Sequence, residues 1–119
     1  MSEEVTHRGS TANMKVYISG KITGVDHYLD NFNKAEKLLK EYGMTVVNPA
    51  KVMFELPDDT PRQCYMDMSI AMLKYCDAIL MLHGWGQSAG AREEYKYAVK
   101  NGKKVFYIGA REDYIYCGS

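Results

Sequence analysis

The chain has 119 residues, 46% of them hydrophobic and 25% charged, which suits one globular domain with a single core. Fifteen basic and fifteen acidic residues cancel, so no net field would hold a nucleic-acid polymer, and "KNGKK" reads as a helix end and turn, where cations are favoured anyway. No run reaches the length of a membrane span and no secretory signal is visible, so the expectation is a cytoplasmic protein without a membrane partner.

The first thirteen residues, "MSEEVTHRGSTAN", are polar and without periodicity, and are read as a flexible leader ahead of a folded domain over residues 14–119. "KVYIS" (15–19) is a β-branched and aromatic run, hence a strand, closed by Gly20. In "YLDNFNKAEKLLKEY" (28–42), Leu29, Phe32, Ala35, Leu38, Leu39 and Tyr42 fall at helical spacing, and Gly43 is a stop. "MTVVN" (44–48) is the second strand, ended by Pro49. After the polar "ELPDDTP", Thr60 is expected as N-cap and Pro61 at the first position of a helix running to about Tyr75. "DAILML" (77–82) is the most apolar strand and is placed at the centre. Ser88 caps a third helix that ends at Asn101-Gly102, and "KVFYI" (104–108) is the fourth strand.

Strand and helix alternate through short links, the pattern of an α/β fold: a doubly wound, Rossmann-like or flavodoxin-like parallel sheet of four to five strands with helices on both faces. The expected order is 2-1-3-4, and ligands of such sheets sit beyond the carboxyl ends of the strands. Here those ends are the loops after Ser19, Asn48 and Leu82.

One residue breaks the pattern. The third helix buries a stripe of Ala91, Tyr95, Ala98 and Val99, and Glu94 falls inside that stripe while Glu93 points to solvent. An unpaired buried carboxylate costs several kcal/mol or is driven to a higher pKa. Either Glu94 snorkels to the rim or pairs with a lysine, or it serves chemistry at the cleft where its helix opens.

The surrounding loops suit that second reading. "HGWGQSAG" brings Gly84, Gly86 and Gly90 close to a ligand, and Ser88 with the first-turn amides forms an anion site. Trp85 stacks on a base or sugar, or covers a subunit contact. "SGKITG" (19–24) places Gly20 and Gly24 at another strand mouth without a complete GxGxxG pattern. Lys21 there neutralises a phosphate or is a plain surface lysine. Asp67 lies on a helix apolar on nearly all sides, so it needs a partner. Cys64, Cys76 and Cys117 are odd in number and lack metal or redox spacing, and read as reduced thiols. His7, His27 and His83 are scattered, so no metal site is expected.

Three pieces together resemble the nucleoside 2-deoxyribosyltransferase-like superfamily over about Lys15 to Ile108, near its small uncharacterised bacterial and phage branch and its nucleoside 5′-monophosphate N-glycosidases. "VYISGKITG" is similar to the opening strand and glycine loop, with Gly20, Lys21, Ile22 and Gly24 at the substrate. Asp67 matches an aspartate on the helix before the central strand. The most specific piece, S-x-G-x-x-x-E-x-x-x-A, is matched by Ser88, Gly90, Glu94 and Ala98. The resemblance implies that Glu94 attacks the anomeric carbon of a (deoxy)ribosyl group, that Asp67 orients the sugar and handles a proton, and that water or a second base completes the reaction.

A serine at position 88 matches members that take 5′-monophosphates, so the resemblance implies hydrolysis of a nucleoside 5′-monophosphate, or base exchange by transfer, with no cofactor and no metal. The partners it implies are a small nucleoside or nucleotide and a second copy in a homodimer or higher homo-oligomer. Two positions depart from the pattern. Arg92 stands where relatives often have glycine, and either pairs with Glu94 or a phosphate, or narrows the pocket. Lys21 stands where hydrolases often have a small hydroxyl residue. Tyr114 and Tyr116 near the end of the chain either reach a neighbour's site or pack on their own sheet. The alternative to an enzyme is a nucleotide-binding module that kept the cleft and lost the chemistry.

Overall fold

The computed structural model of the chain describes residues 2–4 and 13–118. A six-stranded sheet runs in the order β1-β6-β5-β4-β2-β3. Its parallel part joins β3 (Thr45–Val47), β2 (Lys15–Ser19), β4 (Ala78–Met81) and β5 (Lys104–Ile108). In sequence order these are the second, first, third and fourth of the expected strands, and β4 lies between two neighbours as its apolar run requires. Beyond β5 the sheet turns antiparallel: β6 (Ile115–Gly118) pairs with β5, and β1 (Ser2–Glu4) pairs with β6. The expectation of a flexible leader over residues 1–13 differs in part, because Ser2–Glu4 forms this edge strand; residue 1 and residues 5–12 lie outside the described residues.

Alternation along the strands sorts side chains between two cores. Val16, Ile18, Leu80, Phe106 and Ile108 face α1 (Tyr28–Glu41), which contributes Phe32, Ala35, Leu38 and Leu39. Tyr17, Ile79 and Met81 face the other way, toward Leu73 of α3 (Arg62–Lys74) and Ala98 of α4 (Ala89–Lys100). Among the described residues, no helix is long and apolar enough to cross a membrane.

Three local expectations are corrected. Pro49 does more than end a strand: it opens a short helix, α2 (Pro49–Phe54), whose N-cap Asn48 accepts from the Ala50 amide at 3.1 Å. Thr60 does not cap α3. Its hydroxyl donates to the Pro57 carbonyl at 2.6 Å, and Pro61 occupies the N-cap. Val99 is not in the buried stripe of α4 but 53% exposed, because Ala91, Glu94 and Ala98 form the inner face.

Candidate functional site

The alternation that buries Val16 and Ile18 on one face of β2 sends Tyr17 and Ser19 to the other, beneath α4. Glu94 comes down to meet them. It is 7% exposed, and its two oxygens are engaged separately: Tyr17 Oη donates to Oε2 at 2.7 Å and Ser19 Oγ donates to Oε1 at 2.6 Å. Both are short, as hydrogen bonds to a carboxylate are. Ser69, buried on α3 one turn before Leu73, lies within hydrogen-bond reach of both the Glu94 carboxylate and the Tyr17 oxygen. With a single proton it serves one at a time.

This arrangement resolves the carboxylate in the apolar stripe. Glu94 neither snorkels nor pairs with a lysine; the two hydroxyls of β2 take the place of its water, with Ser69 of α3 beside them. Burial still dominates and raises its pKa, with Ser19, Tyr17 and Ser69 pulling it down and Glu93 adding repulsion. Burial likewise lifts Tyr17 well above its ordinary value, with the Glu94 charge adding to it, so the phenol stays protonated as a donor.

Glu94 opens into a cavity of about 400 Å³. One wall is α4 and its capping residue: Ser88, Gly90 and Ala91 line the space, and Ser88 Oγ accepts from the Ala91 amide at 3.1 Å. A Cβ on Gly90 would sit 3.3 Å from Met66 Sδ, so glycine permits the close approach of α4 to α3 here. The loop after β2 supplies Gly20, Ile22 and Thr23. The rest of the lining is largely apolar and aromatic, with Tyr28, Phe32, Met53 and Tyr65, and Arg62 is its cation.

Of the sequence-predicted positions, Glu94, Ser88, Gly90, Gly20 and Ile22 come together around this cavity. The structure does not bring Asp67 to them. Asp67 is exposed on α3 and accepts from Gln63 one turn earlier at 2.8 Å, while Ser69 and Met66 of the same helix face the cavity. The partner that an acid in that helix seemed to need is a solvent-side glutamine. Lys21 and Gly24 are not in the lining; Gly24 takes a φ of 77° in the turn that follows. Arg92 neither pairs with Glu94 nor narrows the pocket, since its guanidinium donates to the Gly86 carbonyl at 2.7 Å and ties the loop to α4. Trp85 stacks on Tyr95, with centroids 4.7 Å apart, in the second core. Tyr116 stacks on Tyr107 within its own sheet at 5.5 Å.

Sequence reasoning missed Tyr17, Ser19, Ser69 and Arg62. A signal existed for the first two: in "KVYIS" they share a face by strand alternation, opposite Val16 and Ile18. Ser69 stands four residues before the core residue Leu73, the same helical face. Arg62 carried no signal, because the direction of an exposed arginine at a helix start depends on what lies across from it.

This arrangement defines the class: a single α/β domain with the nucleoside 2-deoxyribosyltransferase-like fold. A 2-desoxiribosyltransferase from Leishmania mexicana superposes with a TM-score of 0.58 and 22% sequence identity, over 81% of this chain and 65% of the other, so the chain spans just under two thirds of that protein's length. By sequence, the chain belongs to the family described as Domain of unknown function (DUF4406), whose model matches residues 14–107. No curated protein matches it.

Proposed function

We propose that the protein cleaves the N-glycosidic bond of a (deoxy)nucleoside 5′-monophosphate, with Glu94 as the nucleophile. The observation that carries this reading is a carboxylate held by Tyr17 and Ser19 in a cavity whose lining combines aromatic side chains with the capped N-terminus of α4. The likeness to a 2-desoxiribosyltransferase supports the same chemistry.

In this mechanism a Glu94 oxygen attacks the anomeric carbon as the bond to the base breaks and its electron pair leaves with the base. The base takes a proton from solvent. Water then attacks the anomeric carbon of the glycosyl ester, losing a proton, and Glu94 leaves as a carboxylate. Transfer differs only in that a second base replaces the water. The hydroxyls of Tyr17 and Ser19 fix the carboxylate rotamer and take up the charge that Glu94 regains at the second step. A proton-handling role for Asp67 gains no support from its exposed position. The apolar wall suits a base, and Ser88 with the first-turn amides of α4 suits a phosphate.

The test is a product assay with (deoxy)nucleosides, their 5′-monophosphates and NAD, scored for released base beside Glu94→Ala. Release from a monophosphate that disappears in the variant, with the fold intact, is the expected result. Release that survives the substitution refutes the nucleophile. One observation favours a second reading, a nucleotide-binding module: both Glu94 oxygens are already occupied by hydroxyls. That reading predicts thermal stabilisation by nucleotides with no base released.

A further inference from the structure

Arg62 is the first residue of α3 and lines the cavity from the side facing α4. Its guanidinium is not free. Nη2 donates to Glu93 Oε1 at 3.2 Å, across from α3 to α4, and Glu93 immediately precedes Glu94. Both side chains are largely exposed, 59% for Arg62 and 53% for Glu93, so this ion pair is weak and adds little to stability. Among the described residues lining the cavity, Arg62 carries the positive charge, while Lys21 and Arg92 lie outside that lining, Arg92 bonded to a carbonyl.

We propose that Arg62 and Glu93 form an exchangeable anion latch: Arg62 joins Ser88 and the first-turn amides of α4 as the cation that binds the phosphate of a nucleoside monophosphate in this cavity, and Glu93 holds it in reserve until that phosphate displaces it. This inference rests on the nucleotide reading of the cavity and adds to it the residue that selects the phosphorylated form. A guanidinium grips a phosphate with two parallel N–H···O bonds. The dianion outcompetes a single exposed carboxylate contact, while a ligand without a phosphate leaves the Arg62–Glu93 pair closed. Glu93 therefore lowers affinity for the phosphorylated ligand alone, by competing for its cation.

The test is calorimetric titration of the full chain with inorganic phosphate, each common deoxynucleoside and its own 5′-monophosphate, in the wild type, Arg62→Gln, Glu93→Gln and the double variant. Because the pair is exposed, both single variants are expected to fold, which circular dichroism and melting temperature verify. Arg62→Gln is expected to weaken the monophosphate about tenfold or more and leave the nucleoside unchanged. Glu93→Gln is expected to tighten the monophosphate about two- to fivefold, an effect that vanishes in the double variant and fades with added salt. Equal weakening of nucleoside and monophosphate by Arg62→Gln, or no gain from Glu93→Gln, overturns the latch. Base release that depends on Glu94 yet ignores Arg62 would overturn the latch and leave the glycosidase standing. Absence of binding by every ligand overturns both.

Discussion

Replacing Tyr17 by Phe removes one hydroxyl from a residue that is fully buried. The lost bond is the 2.7 Å donation to Glu94 Oε2. A hydrogen bond to a charged group contributes about 1.5–3 kcal/mol, and one to a neutral group about 0.5–1.5 kcal/mol. The difference, on the order of 1–1.5 kcal/mol, stabilises only the ionised carboxylate. At about 1.4 kcal/mol per factor of ten, Tyr17→Phe should raise the affinity of Glu94 for a proton about tenfold. Burial already raises the Glu94 pKa in the native protein, and Tyr17 is one of the groups opposing that rise. A carboxyl whose pKa is raised on folding binds more protons native than unfolded. Its contribution is therefore most favourable below the ordinary carboxylate range and is lost as pH rises through the folded value. In Tyr17→Phe that loss should extend to higher pH, and the variant should be destabilised more at pH 8 than at pH 5. Carbon-13 NMR of labelled glutamate carboxyls, with Glu94→Gln assigning the resonance, follows the titration directly. A Glu94 pKa that is unchanged or lower in Tyr17→Phe would refute the reasoning, as would equal destabilisation at the two pH values.

Three further outcomes follow from the same contacts. Partial burial pushes the Glu36 carboxyl upward, but bonds from Lys40, Asn48 and Lys51 outweigh it and bring the pKa to about 2. That stability is present above the ordinary glutamate pKa and lost as pH falls toward 2, so Glu36→Gln should flatten acid unfolding between about pH 4.5 and 2; an unchanged slope would count against it. A Cβ at Gly109 would overlap the Tyr114 ring, so Gly109→Ala should cost about 1–3 kcal/mol in urea unfolding, and Tyr114→Ala in the same chain should recover part of it; strictly additive losses would show that the ring does not cover the glycine. Arg92→Ala should leave the Glu94 carboxyl resonance in place, because its guanidinium holds the Gly86 carbonyl; a shifted resonance would mean that Arg92 does reach the carboxylate.

The four parallel strands and the three longer helices were legible because their signals are local. Apolar periodicity, the Gly43 stop and the Ser88 cap each depend on neighbours within a turn or two, and the order 2-1-3-4 follows from short right-handed crossovers. The helix α2 was legible in principle, since Asn48-Pro49 is a cap followed by a first-turn proline, but a proline after a strand reads first as a stop. The edge strands β1 and β6 were not, because a short polar strand such as Ser2–Glu4 is fixed by the neighbour it pairs with rather than by its own composition.

By itself the sequence placed Glu94 within the apolar stripe of its helix, near the loops after the strands, and left open whether it snorkels to the rim, pairs with a lysine or serves chemistry. It could not determine what meets that carboxylate. Tyr17 lies seventy-seven residues away along the chain and Ser19 seventy-five, and only the register of β2 beneath α4 decides that two hydroxyls, rather than a lysine or water, satisfy the charge. The same holds in reverse for Asp67. Its helix is apolar on nearly all sides in sequence, yet which side met the cavity was decided by the packing of α3 against α4, which turned Ser69 inward and Asp67 to solvent, because the burial of a helix face is a property of the pair of helices and not of either one.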